Sequence, residues 1–136
     1  MTARSDLPTI EADSRPFWDA VRDEGVFLIV HCRDCGLVHH YPRPFCPRCW
    51  SGEVEWVPAS GSATLYTYSV VHVNDLPPFR EQLPYVAAVV ELAEGPRVMT
   101  RLVDCDPEHL EVGMDLTMTV HRLTEDISIP LFAPAH

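Results

Sequence analysis

Apolar residues recur with two periods along the chain, and the period changes once. Phe17, Ala20 and Val21, with Glu24 beyond them, fall at helical spacing. Pro16 suits a first turn, Asp13 or Ser14 an N-cap and Gly25 a stop, so the pattern predicts a helix over 14–24 whose Phe17/Val21 face docks on something. After Gly25 a β-rich run, 26–30, leads into His31 and Cys32. Five further stretches read as strands: 64–73, 85–92, 97–103, 116–123 and 127–132, with a helical turn expected over 107–110. Five strands in so short a span suit a small barrel of the OB type better than a sandwich of seven or more.

Composition bounds the reading. At 136 residues and 46% hydrophobic, the chain has room for one core. No apolar run approaches the roughly 18 residues of a membrane span, and the N-terminus lacks the apolar centre of a signal peptide. A soluble, cytoplasmic protein is expected, with no membrane partner. Ten Arg and no Lys stand against twenty acids, for a net charge of −10. Three Arg face six acids over 1–25, three face one over 26–52, and four face thirteen over 53–136. The last segment, at −9, is poorly suited to binding phosphate backbones, which argues against a nucleic-acid partner.

The basic middle segment holds the strongest chemical signal. Cys32-Arg-Asp-Cys35 and Cys46-Pro-Arg-Cys49 are two C-x2-C knuckles ten residues apart. Each knuckle turns two sulfurs toward one point, and the two together make a closed tetrahedral S4 site. Structural Zn2+ fits such a site, with no position left for a catalytic water. Iron in the same four thiolates remains open on ligand softness alone. An odd cysteine count in a cytosolic context argues against disulfides. His31, His39 and His40 are read as surface or packing residues. Gly36 follows the first knuckle but Trp50 follows the second, so the second turn is expected to differ. Arg33, Arg43 and Arg48 would balance the anionic thiolate cluster, and the metal would supply folding energy to a segment too short for its own core.

Several motifs in fixed order carry a resemblance. Pro16-Phe17-Trp18, the four cysteines, the step 61–69 (GSATLYTYS), Leu83-Pro84-Tyr85-Val86, the run 103–107 (VDCDP), Val112-Gly113-Met114 and Ile129-Pro130-Leu131-Phe132 resemble the acyl-CoA-associated zinc-ribbon/OB-fold family, long catalogued as domain of unknown function thirty-five. The resemblance implies a mainly β chain in three parts: an N-terminal helical segment (1–25), a rubredoxin-like zinc ribbon (26–53) and a five-stranded OB-fold barrel (54–136). It also implies a non-catalytic accessory subunit in a hetero-oligomer. The partner would be a thiolase-like acyltransferase or aldolase of the sterol-carrier-protein-x type. The subunit would help hold the CoA part of an acyl-CoA, in steroid side-chain or other lipid degradation. The rival reading is an OB-fold nucleic-acid-binding or scaffold protein with a structural ribbon.

Other candidate residues follow from ligand chemistry. Arg97 and Arg101 share a strand face and suit CoA phosphates, or an exposed pairing with Glu91 or Glu94. In the proline-rich loop after 73, Leu76 and Phe79 are candidate contacts to partner or acyl chain, or fold back on the core. Tyr66 and Tyr68 suit a partner or acyl contact, or core packing. Cys105, between Asp104 and Asp106, is expected to have a raised thiol pKa and to pack rather than react. No Ser/His/Asp motif or phosphate-cradling glycine loop is present.

Overall fold

The computed structural model describes residues 10–73 and 83–135. Helix α1 (Arg15–Glu24) matches the periodic stretch, and it buries Phe17, Ala20 and Val21. Pro16 sits in its first turn, where a missing N–H costs nothing. Ser14 occupies the N-cap but gives the helix no side-chain bond. Its hydroxyl turns back to the Glu11 carbonyl at 3.2 Å instead. Gly25 ends the helix at φ +66°, a left-handed value glycine adopts cheaply.

The ribbon carries a three-stranded antiparallel sheet in the order β2-β1-β3, with β1 at Leu28–Cys32, β2 at Val38–His39 and β3 at Val54–Pro58. Neither β2 nor β3 is among the strands the sequence predicts, and residues 54–58, expected at the start of the barrel part, join the ribbon sheet instead. Strand β3 pairs along the full length of β1, from Leu28 opposite Pro58 to Cys32 opposite Val54. The residues after the second knuckle thus return to the ribbon before the barrel starts.

The barrel strands are β4 (Ser62–Val71), β5 (Tyr85–Leu92), β6 (Arg97–Leu102), β7 (Asp115–Arg122) and β8 (Ser128–Pro134). They close in the order β4-β5-β6-β8-β7, with β7 returning to β4. The β6–β8 pair is parallel, Leu102 opposite Phe132, and the other strand pairs are antiparallel. This is the expected five-stranded OB barrel. The helical turn forms as a 3-10 turn over Pro107–His109, capped by the Asp106 carboxylate, which accepts from the Glu108 amide at 3.0 Å. Strand β5 alternates strictly, with Val86, Ala88, Val90 and Leu92 inward.

One hydrophobic cluster joins the three parts. Phe17 and Val21 of the helix and Phe27 and Ile29 of the ribbon pack with Leu65, Val90, Leu116 and Phe132 of the barrel. The Phe17 ring meets Phe27 and Trp18 edge-on, each at 5.0 Å between centroids. The ribbon is therefore held by shared apolar burial as well as by its cysteines. No helix among the described residues is long and apolar enough to cross a membrane.

Candidate metal centre and the exposed faces around it

The two knuckles repeat one hydrogen-bond scheme. The Cys32 amide donates to the Leu37 carbonyl at 2.9 Å, and the Cys46 amide donates to Ser51 at 2.8 Å. The Gly36 amide donates to the Cys32 carbonyl, and the Trp50 amide donates to Cys46, both at 2.9 Å. Trp50 adopts φ +65° beside Gly36 at +82°. The expectation of a different second turn is therefore corrected: Trp50 takes the left-handed conformation that glycine takes in the first knuckle. Two bonds tie the knuckles together. The Ser51 hydroxyl donates to the Asp34 carboxylate, and Arg48 Nη2 donates to the Cys35 carbonyl at 2.9 Å.

All four sulfurs converge. The Cys32–Cys49 and Cys35–Cys46 Sγ separations are 3.6 and 3.5 Å, and every pair lies within 4.8 Å. Four thiolates about 2.3 Å from one tetrahedral ion would stand about 3.8 Å apart, so the site fits zinc. Cys32 and Cys46 are fully buried, while Cys49 faces solvent. The Arg48 and Cys49 amides reach Cys46 Sγ at 3.4 and 3.5 Å. Cys35 is held down at about 6, first by the Leu37 amide and then by Arg48 and its neighbouring thiols. Cys49 is pushed up to about 12: the Ser51 amide favours its thiolate, but desolvation and the protons shared with Cys32, Cys35 and Cys46 outweigh that. A cation among the four sulfurs favours the fully ionised form, because metal ligands must be thiolates. The site is closed and structural. Among the described residues it is the one cluster of three or more His, Cys, Asp or Glu able to hold a metal.

The nearby histidines stay outside it. His31 Nδ1 pairs with its cross-strand neighbour Glu55 at 3.0 Å, and Arg33 holds the other Glu55 oxygen at 3.2 Å. His39 Nδ1 donates to the Tyr41 carbonyl at 2.9 Å. His40 packs against Phe17, Phe27 and Tyr41.

On the barrel, a bulge between Leu65 and Thr67 separates the two tyrosines. In a regular strand Tyr66 and Tyr68 would share a face. The extra residue flips the parity, so Tyr66 is exposed while Tyr68 packs on the core and donates to the Leu110 carbonyl at 3.4 Å. Arg97 lies 4.0 Å above the Tyr66 ring and 3.6 Å from Glu91, and Arg101 leans over Tyr85 at 5.8 Å. Met99 stands between the two arginines, 78% exposed. Leu76 and Phe79 lie outside the described residues. Cys105 rests against the core, and burial, then Asp104 and Asp106, push its thiol up.

The descriptions "ChsH2, rubredoxin-like zinc ribbon domain" and "ChsH2, C-terminal OB-fold domain" match residues 19–55 and 56–121 respectively. A DUF35 domain-containing scaffold protein of Methanocaldococcus jannaschii is 39% identical over 110 residues, 80% of this chain and 77% of that one. The chain belongs to the DUF35 family. A probable enoyl-CoA hydratase alpha subunit of Thermomonospora curvata is 35% identical over 94% of this chain, which spans 39% of that larger protein. The benzoylsuccinyl-CoA thiolase subunit BbsA of Geobacter metallireducens is 28% identical over 75% of this chain and 67% of that one. Among solved structures, an Ltp2-ChsH2(DUF35) aldolase contains a chain superimposing with a TM-score of 0.83 at 35% identity, covering 96% of this chain and all of that one.

The DUF35 pattern alone left one feature unseen. Arg43 of the ribbon and Arg97 of the barrel both line one cleft between the two parts. The only advance signal was the cluster of Arg in 26–52.

Proposed function

We propose that this DUF35 chain is a non-catalytic accessory subunit of a thiolase- or aldolase-like acyl-CoA enzyme, working in the cytoplasm. The observation that carries this reading is its likeness, over nearly its whole length, to the DUF35 chain of an Ltp2-ChsH2 aldolase. The names of the hydratase and thiolase subunits support the same setting. The barrel presents an exposed face of Tyr66, Arg97 and Met99 rather than a nucleophile beside a base. In this reading the zinc-held ribbon and barrel form a rigid platform. The platform docks on the partner and helps hold the CoA portion, raising the effective concentration of the thioester at the partner's reacting groups. The acyl group is a steroid side chain or another lipid chain.

The test is reconstitution. Tagged, zinc-loaded chain is used to capture its partner from the native cell, and CoA-thioester turnover is measured for each protein alone and for both together. The reading expects a thiolase-like protein to co-elute and turnover to need, or rise at least tenfold with, both chains. Turnover by this chain alone, or a thiolase-like partner indifferent to it, would overturn the reading.

A further inference from the structure

The outer face of β4, β5 and β6 is laid out in rows. Thr67, Val89 and Met99 lie side by side in one row, and Ser69, Ala87 and Arg101 in the next. Strand alternation turns these residues outward, and the bulge adds Tyr66 to the same face. The small side chains in the middle leave a shallow depression of about 220 Å3, whose lining includes Ala87, Val89 and Met99. Met99 stands at its edge, 78% exposed.

The two arginines of β6 mark the ends of this face. Arg97 reaches across β5 to lie 4.0 Å above the Tyr66 ring of β4, and Arg101 leans toward Tyr85 at 5.8 Å. A guanidinium steadied on a ring loses less freedom when it binds. The charged side chains on this face are Glu91, Arg97 and Arg101, two positive against one negative, in a segment that carries −9 over 53–136. Arg, Met and Tyr are also the residue types that interfaces favour. A two-fold pairing with a second copy would set this net-positive face against itself. An oligonucleotide would need open rings and a basic surround, whereas Arg97 already covers Tyr66 and the surround is acidic.

We propose that this face docks a protein segment that seats an apolar side chain in the depression, beside Met99, with one carboxylate for each arginine. Arg97 and Arg101 are four residues apart on one strand, so those carboxylates are spaced by about 13 Å. That the segment belongs to a thiolase-like subunit rests on the accessory-subunit reading. Arg97 and Arg101 then hold the partner rather than a CoA phosphate. The apolar contact at the centre slows dissociation, and the charges at the two ends steer association and fix the register.

The test places a photoreactive benzoylphenylalanine at Met99 of the full-length, zinc-loaded chain, and in a control chain at the exposed His121 of β7. Each is irradiated with the purified partner protein obtained by tagged capture, and the cross-linked peptide is sequenced by mass spectrometry. Cross-linking from position 99 is expected to exceed that from 121 by about tenfold or more, and to reach a peptide with acidic residues on both sides of an apolar one. Met99→Asp and the Arg97→Gln/Arg101→Gln pair should each weaken binding by about tenfold or more, with Arg122→Gln unchanged. Added salt should weaken the wild-type complex more than the arginine pair variant. Met99 is largely exposed, so its variant keeps the fold and carries the test by itself. Equal cross-linking from both positions, or unchanged affinity in Met99→Asp, would overturn the proposal. So would a self-dimer, or saturable binding of a single-stranded oligonucleotide, that Met99→Asp abolishes. A thiolase-like partner that docks elsewhere sinks this face alone. A partner of another kind, cross-linked to position 99 through such a peptide, sinks the accessory reading alone, and capture of no protein sinks both.

Discussion

The Trp50 amide donates to the Cys46 carbonyl at 2.9 Å, with Trp50 at φ +65°. A bulky residue in that conformation is strained by about 1–2 kcal/mol. Its ring stacks on Phe45 at 5.1 Å and 14°, an offset worth about 0.5–1.5 kcal/mol. Trp50→Gly is therefore expected to change stability by less than about 1 kcal/mol and to keep the metal, as relief and loss nearly cancel. Trp50→Val adds a β-branch without the stacking partner and should cost about 1–2 kcal/mol. Denaturant melts with metal analysis would check both.

The four thiols must lose their protons to bind a metal, so zinc retention should fall as pH drops. Cys46→Ala, at a fully buried ligand, should abolish stoichiometric metal. Hydrogen exchange should then rise first across β1–β3, while β4–β6 amides stay protected. Equal loss of protection everywhere would show that the barrel also depends on the metal.

His40 carries a pH dependence of its own. Burial, and then the charge on His39, push it from the ordinary 6.5 down to about 4. Between those values the unfolded chain binds more protons than the folded one, so stability rises with pH. The stabilisation is complete above about 6.5 and is lost as pH falls toward 4, by up to about 3 kcal/mol. His40→Phe should flatten that part of the stability–pH curve, read from melts across pH 4–7.

Phe17 links all three parts of the fold and is only 5% exposed. Phe17→Ala should cost about 3–5 kcal/mol. Because its neighbours include Phe27 and His40, the ribbon should loosen from the barrel before the barrel opens, seen as early exchange in β1.

Cys105 should be slow to alkylate. Its thiol is raised by burial and by Asp104 and Asp106, which lowers the thiolate fraction at neutral pH. Iodoacetamide at pH 7.5 should label it more slowly than free cysteine, and Asp106→Asn should speed labelling. A rate above that of free cysteine would contradict the assignment.

Local pattern carried much of the architecture. Helical spacing around Phe17 and Val21 marked α1, β-rich runs between glycines and prolines marked β4 through β8, and the C-x2-C spacing marked the metal centre. These features were legible because each is a relation between residues close in sequence. Strand β3 was missed because its five residues, Val54–Pro58, are half-buried to exposed and show no clean alternation. Its place beside β1 depends on how the second knuckle turns the chain. The Tyr66 bulge escaped for a similar reason: an inserted residue changes parity without changing residue type.

The sequence by itself determined the element types, the four metal ligands and where the charge lies, since periodicity and ligand spacing act over a few residues. Only the tertiary structure decided which elements share a surface. It put β3 in the ribbon sheet, split Tyr66 from Tyr68, and forced Trp50 into a glycine's conformation. Those are contacts between distant segments, chosen by the single shared core and the closure of the barrel, and no local period records them.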